Sequence, residues 1–318
     1  MNDALPLRFD PSGLIALNAI IALMVLGASL DLRVADLRRV AARPAGVLAG
    51  LSAQAVLTPA ATCLLSWVFR VDPALSLGMM LVAACPSGAL SNVLTWRARG
   101  NVALSVGLTT VSSLAAIVLT PLNFALYGWL NPRTRPLLQA VALPVGGILA
   151  QVALVLALPV LAGMLIGSRA PRVATRAERP LRGLSFLVLI AFIGGAFWEN
   201  RALFVARFGD FFWLVVLQNA LALAIGRLVS RVARLDEADT RAVTIEVGIH
   251  NSGLGLAILM TFFPAAGSMM LITAFWGVWH LVSGLALSSW WSRRPPPPRV
   301  IATAAGPDAG GIAAAGTA

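Results

Sequence analysis

Thirteen acidic residues are spread along the 318-residue chain. Only one, Glu246, stands deep inside a long apolar stretch; the others, from Asp3 to Asp308, fall in polar connections, tails or the ends of apolar runs. A bare carboxylate at the centre of a bilayer costs about 2.5–3.5 kcal/mol on insertion scales, so Glu246 must be protonated, paired or ion-bound. The chain contains no lysine and no arginine at a comparable depth. An internal salt bridge is therefore disfavoured, and a bound cation is the simplest partner. Ser91, Asn92, Ser105, Thr109 and Gln54 also lie within apolar stretches. Hydroxyl and amide oxygens beside a carboxylate suit a small hard cation such as sodium, and carbonyls freed from an unwound helix add further ligands. Serine and threonine alone carry little weight, because they commonly bond between packed spans. Their coincidence with a lone glutamate is the informative feature.

Two apolar stretches are interrupted within their length, one by Pro86-Ser-Gly-Ala-Leu-Ser-Asn92 and one by Glu246-Val-Gly-Ile-His-Asn-Ser-Gly253. Backbone freed at membrane depth is tolerated only where protein or a water-filled cavity supplies partners. The bland reading of each segment is an ordinary kinked helix. Together they are more telling: they fall in the third and eighth of nine apolar runs. An odd offset reverses orientation, so the two runs would be related as inverted repeats, the first repeat lacking one helix. Interrupted helices at matching positions of inverted halves point to a transport site.

The elements that must position these groups follow from composition. Hydrophobic residues make up 58% of the chain and charged ones 12%, more apolar surface than a soluble domain of this size needs. Spans of about 20 residues cross the hydrocarbon layer. The apolar runs predict nine: 13–31, 44–69, 74–96, 101–129, 138–167, 183–198, 209–230, 240–262 and 268–291. The expected fold class is an all-α polytopic membrane protein. The net charge of +11 would suggest nucleic acid in a soluble protein, but arginines between apolar runs read as topogenic. With the N-terminus outside, only Arg8, Arg70, Arg133, Arg135, Arg201 and Arg207 lie on the outer side, and the remaining 18 of 24 are cytoplasmic. Residues 1–12 are read as an extracytoplasmic N-terminus and residues 292–318, which begin around RRPPPPRV and turn Ala/Gly-rich, as a disordered cytoplasmic tail. Cys63 and Cys85 lie within apolar runs and read as small hydrophobes rather than a disulfide framework.

The run Ala84-Cys-Pro-Ser-Gly-Ala-Leu-Ser-Asn-Val-Leu-Thr95, continued by Arg99 to Thr109, resembles the first signature of the bile acid:sodium symporter family; Thr244 to Leu254 resembles the second. The similarity spans about residues 14–291, and Gln54, five residues before Pro59, falls where the family has a sodium-site glutamine. The resemblance implies a core domain (about 44–129 and 209–291) containing two crossed discontinuous helices, and a panel domain (about 13–31 and 138–198) that moves against it. It implies two sodium ions: a first site of Ser91, Asn92, Ser105, Thr109 and Glu246, and a second of Gln54, Glu246, the backbone of Val247 and Ile249, and His250. The family usually has glutamine at position 250; a neutral imidazole could still ligate, whereas a protonated one would repel sodium. Ala89 stands where some relatives carry a hydroxyl near the substrate, and Leu281 follows His280 where they carry asparagine.

The halves of the broken helices that begin near Ser91 and Asn251 would aim positive dipole ends at one cavity, which suits an anionic head group. Candidate substrate contacts are Ala89, Asn251, Ser252 and His280. The expected function is sodium-coupled symport of an organic anion, bile-acid-like, pantoate-like or another carboxylate or sulfonate, in the bacterial inner membrane. The competing reading is a proton-coupled or efflux carrier using Glu246 and His250. An enzyme is not expected, because the residues offer no pair of mid-span aspartates, no His-Glu-x-x-His motif and no Gly-x-Ser-x-Gly elbow in a suitable context. Lipid is the surrounding medium, and neither nucleic acid nor a protein partner is implied.

Overall fold

The computed structural model describes residues 11–30, 44–140, 145–199, 201–263, 266–294 and 296. Most of the expected N-terminal segment and nearly all of the expected tail lie outside these residues, as do Arg33, Arg38, Arg39 and Arg43. Described secondary structure is helical apart from one isolated antiparallel bridge, Ser87 to His250.

The helices are α1 (Pro11–Ser29), α2 (Pro44–Val68), α3 (Pro73–Ala84), α4 (Ala89–Arg97), α5 (Val102–Leu130), the short α6 (Arg135–Ala140), α7 (Val145–Val152, a π turn Ala153–Ala157, then Leu158–Arg169), α8 (Pro171–Glu199), α9 (Arg201–Val232), α10 (Glu237–Gly248), α11 (Ser252–Phe262) and α12 (Gly267–Ser292). Five segments, Pro44–Val68, Val102–Leu130, Gly146–Arg169, Phe204–Val232 and Gly267–Ser292, are long and apolar enough to cross a membrane. Large apolar side chains such as Ile15, Leu48, Leu187 and Trp213 stand exposed, a surface that lipid must cover. The chain is a multi-pass membrane protein.

Local chemistry sets the helix ends. Asp72 caps α3, its Oδ1 accepting from the N–H groups of Ala74 and Leu75 at 3.0 and 3.2 Å, and Asp236 caps α10 through the Asp239 N–H at 2.7 Å. Arg70, Arg99 and Arg234 take positive φ of 50–55° just past the ends of α2, α4 and α9. In each case the next N–H reaches a carbonyl five residues back, at 2.9–3.0 Å, the hydrogen-bond pattern of a left-handed helix stop. Inside α2 the π turn Ala53–Leu57 precedes Pro59. A proline ring crowds the carbonyl four residues earlier and widens the helix. The carbonyl concerned, that of Ala55, accepts from Asn123 Nδ2 at 2.8 Å.

Three differences from the sequence expectation have physical causes. The break expected over residues 86–92 is confined to 85–88, and that over 246–253 to 249–251, because Ser91 and Glu246 keep helical backbone while their side chains turn inward. The second arms accordingly start at Ala89 and Ser252. The expected sixth span, 183–198, is the latter part of a longer helix from Pro171, whose first-turn proline needs no N–H partner. Arg241, counted with the cytoplasmic arginines at the start of the eighth run, sits within α10 and is buried, because the carbonyls of Ala98, Trp291 and Arg294 accept from its guanidinium.

Packing draws α9 and α10 unusually close: a Cβ on Gly226 would stand 2.9 Å from Thr244 Cα and 3.1 Å from the Val243 carbonyl. One apolar cluster joins α1, α3, α5, α7 and α11 around Leu81, Phe124, Leu156 and Ile258. A second joins α3, α9 and α12 around Met79, Phe211 and Trp276. The two breaks meet at Ser87 and His250.

Candidate functional site

The broken helices meet through their own backbone. Asn251 N–H donates to the Pro86 carbonyl at 2.7 Å, beside the Ser87–His250 bridge. Unwinding leaves carbonyls at the ends of α3 and α10 without their helical donors, and two neighbouring side chains supply hydrogen bonds. Thr120 Oγ1 donates to the Ala84 carbonyl at 2.8 Å, and Asn219 Nδ2 to that of Gly248 at 2.8 Å. Removing either donor leaves a buried acceptor unpaired, at a cost of about 1–3 kcal/mol. Asn219→Leu is expected to lower the thermal unfolding midpoint in detergent and Thr120→Val to do so by a similar amount; unchanged midpoints would mean that water replaces both donors.

Glu246 is 1% exposed, and its carboxylate is ringed by hydroxyls. Oε1 accepts from Ser91 Oγ at 2.6 Å, from Ser105 Oγ and from Thr109 Oγ1 at 3.1 Å. Oε2 accepts from Ser87 Oγ at 2.5 Å and Thr109 Oγ1 at 2.9 Å. Asn92 Oδ1 closes the group, accepting from Ser105 Oγ at 2.8 Å and Thr109 Oγ1 at 3.3 Å. No ion pair to Glu246 occurs among the described residues. The five residues expected at the first sodium site are thus brought together from three helices, α4, α5 and α10. Their donor set is one carboxylate, hydroxyls that can rotate to present lone pairs, and an amide oxygen, all hard oxygen ligands.

The residues expected at the second site are not drawn into one hydrogen-bonded group. Gln54 is buried in the π turn of α2 with its Nε2 unpartnered. His250 is buried with both ring nitrogens unpartnered and stacks on Trp276, ring centroids 5.8 Å apart. Val247 and Ile249 are buried around the end of α10. Among the described residues no hydrogen bond joins Gln54 or His250 to Glu246. Buried unpaired polar atoms are costly; among the described residues nothing bonds the His250 ring nitrogens, one of which carries a free lone pair in the neutral ring, whereas the unpartnered Gln54 Nε2 is a donor and only the Oε1 of that side chain could ligate.

A cleft beside the crossing is lined by Ser87, Gly88, Asn92, Thr109 and Asn251 on one side and by Val25, Ser29 and Val160 of α1 and α7 on the other. Its volume, about 30 Å³, admits about two waters. Of the expected substrate contacts, Asn251 lines it while capping α11 through the Leu254 N–H at 3.0 Å. Ser252 is turned towards Gly277, where a Cβ would meet its Oγ at 2.8 Å. His280 is buried on α12, outside the cleft lining, with Nδ1 unpartnered. Ala89 opens α4, and its side chain lies outside the described part of the structure. Gly88 and Asn251, the residues preceding α4 and α11, are neighbours: a Cβ on Gly88 would stand 3.8 Å from Asn251 Cα. Two helix N-termini therefore open side by side on the cleft.

The model of the sodium bile acid symporter family matches residues 19–207, more than half of the chain. The chain belongs to the sodium bile acid symporter family. Symporter relatives include an uncharacterised sodium-dependent transporter of Bacillus subtilis, YocS, 28% identical over 273 residues, which cover 85% of this chain and 81% of that protein. A probable chloroplastic sodium/metabolite cotransporter of Arabidopsis thaliana, BASS1, is 27% identical over 85% of this chain and 65% of its own length. The human ileal sodium/bile acid cotransporter is 25% identical over 70% of this chain and 62% of its own length. The chain thus spans less than two thirds of these two longer relatives.

Sequence reasoning did not single out Ser87, Ser112, Thr120 or Asn219. Ser87 bonds both Glu246 and Ser112, the latter at 3.3 Å. It lies within the interrupted segment, which was its available signal. Thr120 and Asn219 had none beyond being polar within apolar runs.

Proposed function

We propose that this symporter-family protein couples sodium entry to uptake of a small organic anion across the bacterial inner membrane. The reading includes nine spans arranged as inverted repeats, with the N-terminus outside and the C-terminus cytoplasmic. The core, about 44–129 and 209–291, carries the ions, and the panel, about 13–31 and 138–198, rocks against it to expose the cleft alternately to each side. The observation that carries the reading is the buried Glu246 carboxylate enclosed by Ser87, Ser91, Ser105 and Thr109, with no cation of the protein beside it among the described residues.

One sodium ion is held by Ser91, Asn92, Ser105, Thr109 and Glu246. A second engages Gln54 through its Oε1, Glu246, His250 and the backbone of Val247 and Ile249, answering the unpartnered ring nitrogens of His250. The substrate anion sits at the paired N-termini of α4 and α11, with Ala89, Asn251, Ser252 and His280 around it; it is bile-acid-like, pantoate-like or another carboxylate or sulfonate. The cleft must widen to admit it, which separation of α1 and α7 from the crossing accomplishes.

Two sodium ions entering with one monoanion move one net positive charge inward. A tenfold sodium gradient supplies about 1.4 kcal/mol per ion and 100 mV adds about 2.3 kcal/mol, near 5 kcal/mol in all, enough to concentrate substrate about a thousandfold or more. In proteoliposomes, uptake of the anion is expected to collapse on sodium removal and to fall on depolarisation. Uptake insensitive to both refutes the reading, and flux driven by a pH gradient alone assigns the coupling to protons instead.

A further inference from the structure

The ends of α4 and α12 carry exposed guanidinium groups that nothing in the ion chemistry uses. Arg97, Arg293 and Arg294 are exposed and have no carboxylate partner among the described ion pairs. Arg97 Nε donates to Ser289 Oγ at 3.1 Å, tying the end of α4 to α12. Arg294 lies over the Trp290 ring, 4.6 Å from its centroid. Its backbone is fixed on both sides: its N–H donates to the Trp291 carbonyl at 3.0 Å, and its carbonyl accepts from Arg241 Nη2 at 2.8 Å. The charge is therefore mounted on an ordered helix end. Trp96 and Trp290, on the same two helix ends, are 71% and 48% exposed.

Exposed indoles at the ends of apolar spans mark the membrane–water boundary. The abundant anion at that depth is lipid phosphate, which guanidinium groups bind with paired N–H donors and which basic clusters at span ends attract. Stacking on an indole leaves the guanidinium edge free to donate.

We propose that Arg97, Arg293 and Arg294, flanked by Trp96 and Trp290, form a binding site for the phosphate of an anionic phospholipid. The lipid braces α4, the arm that carries Ser91 and Asn92, against α12. The site is independent of which ion or substrate the protein carries.

The full-length protein, purified in detergent, is heated with phosphatidylglycerol, with phosphatidylcholine at equal mole fraction, or with inorganic phosphate. Phosphatidylglycerol is expected to raise the unfolding midpoint, and the other two to leave it unchanged. R97Q/R293Q/R294Q loses most of the increment. R135Q, at a comparable arginine–indole pair where Arg135 lies 4.2 Å over Trp129, keeps it. Because three substitutions at a helix end can impair folding, R97K/R293K/R294K is measured in parallel and retains the preference for phosphatidylglycerol over phosphatidylcholine. The proposal is overturned if phosphatidylglycerol gives no increment, if free phosphate reproduces it, if the glutamine variant keeps it in full, if R135Q loses as much, or if the lysine variant folds without the preference.

Discussion

Glu246→Gln is expected to abolish sodium-dependent accumulation while leaving the protein folded. Glutamine has the same shape, keeps one oxygen to accept from the surrounding hydroxyls and offers an amide that Ser87 or Thr109 can accept by rotating. What it lacks is the charge. Deleting one partner of a buried charge interaction costs 2–5 kcal/mol; taking about 3 kcal/mol, sodium affinity falls by more than about a hundredfold. The measurement is twofold: sodium-dependent thermal stabilisation of the purified variant, and uptake in proteoliposomes. Stabilisation follows from linkage, because a ion that binds only the folded form raises its apparent stability. A variant that still accumulates substrate in response to sodium would remove the carboxylate from the ion site altogether. Ser105→Ala should be milder, since it deletes one of several oxygens and leaves the charge in place.

Arg241→Met is expected to produce the largest loss of stability. Arg241 is 3% exposed; its Nη1 donates to the carbonyls of Ala98 and Trp291 at 2.8 and 3.3 Å, its Nη2 to that of Arg294 at 2.8 Å, and its Nε to Glu237 at 3.0 Å. One planar group thus ties the ends of α4 and α12 to α10, the helix that carries Glu246. Each buried acceptor left unpaired costs about 1–3 kcal/mol, and partial access of water at the helix ends limits the total to about 3 kcal/mol. The unfolding midpoint should fall sharply, and Arg241→Lys should recover only part of it, because an ammonium cannot reproduce the forked geometry. Equal midpoints for the methionine variant and the parent would show that these bonds are replaced at no cost.

The polar group around Glu246 was legible in the sequence for a thermodynamic reason. A carboxylate at membrane depth is so unfavourable that its presence demands a partner, and Glu246 stood alone in that position. The residues that hold the broken ends were not legible. A threonine or serine in an apolar helix most often bonds its own backbone four residues earlier, as Thr110, Ser230, Thr244 and Thr273 do. Nothing local distinguishes Thr120, which instead reaches across to α3. The same holds for Arg241, which read as one more topogenic arginine because its three carbonyl acceptors come from elsewhere in the chain.

Composition and the spacing of apolar runs determined that this is a helical membrane protein, because hydrocarbon leaves a backbone few alternatives to satisfying its own hydrogen bonds. The lone glutamate and the glycine-bearing interruptions determined where cation chemistry could reside. The tertiary structure decided how narrow the breaks are, that they meet at Ser87 and His250, and that Ser87 joins the hydroxyls around Glu246. It also decided that His250 stacks on Trp276. Burial cost acts on each residue by itself and so can be read along the chain. Hydrogen-bond partners are chosen among groups far apart in sequence, and become definite only when packing places them within reach.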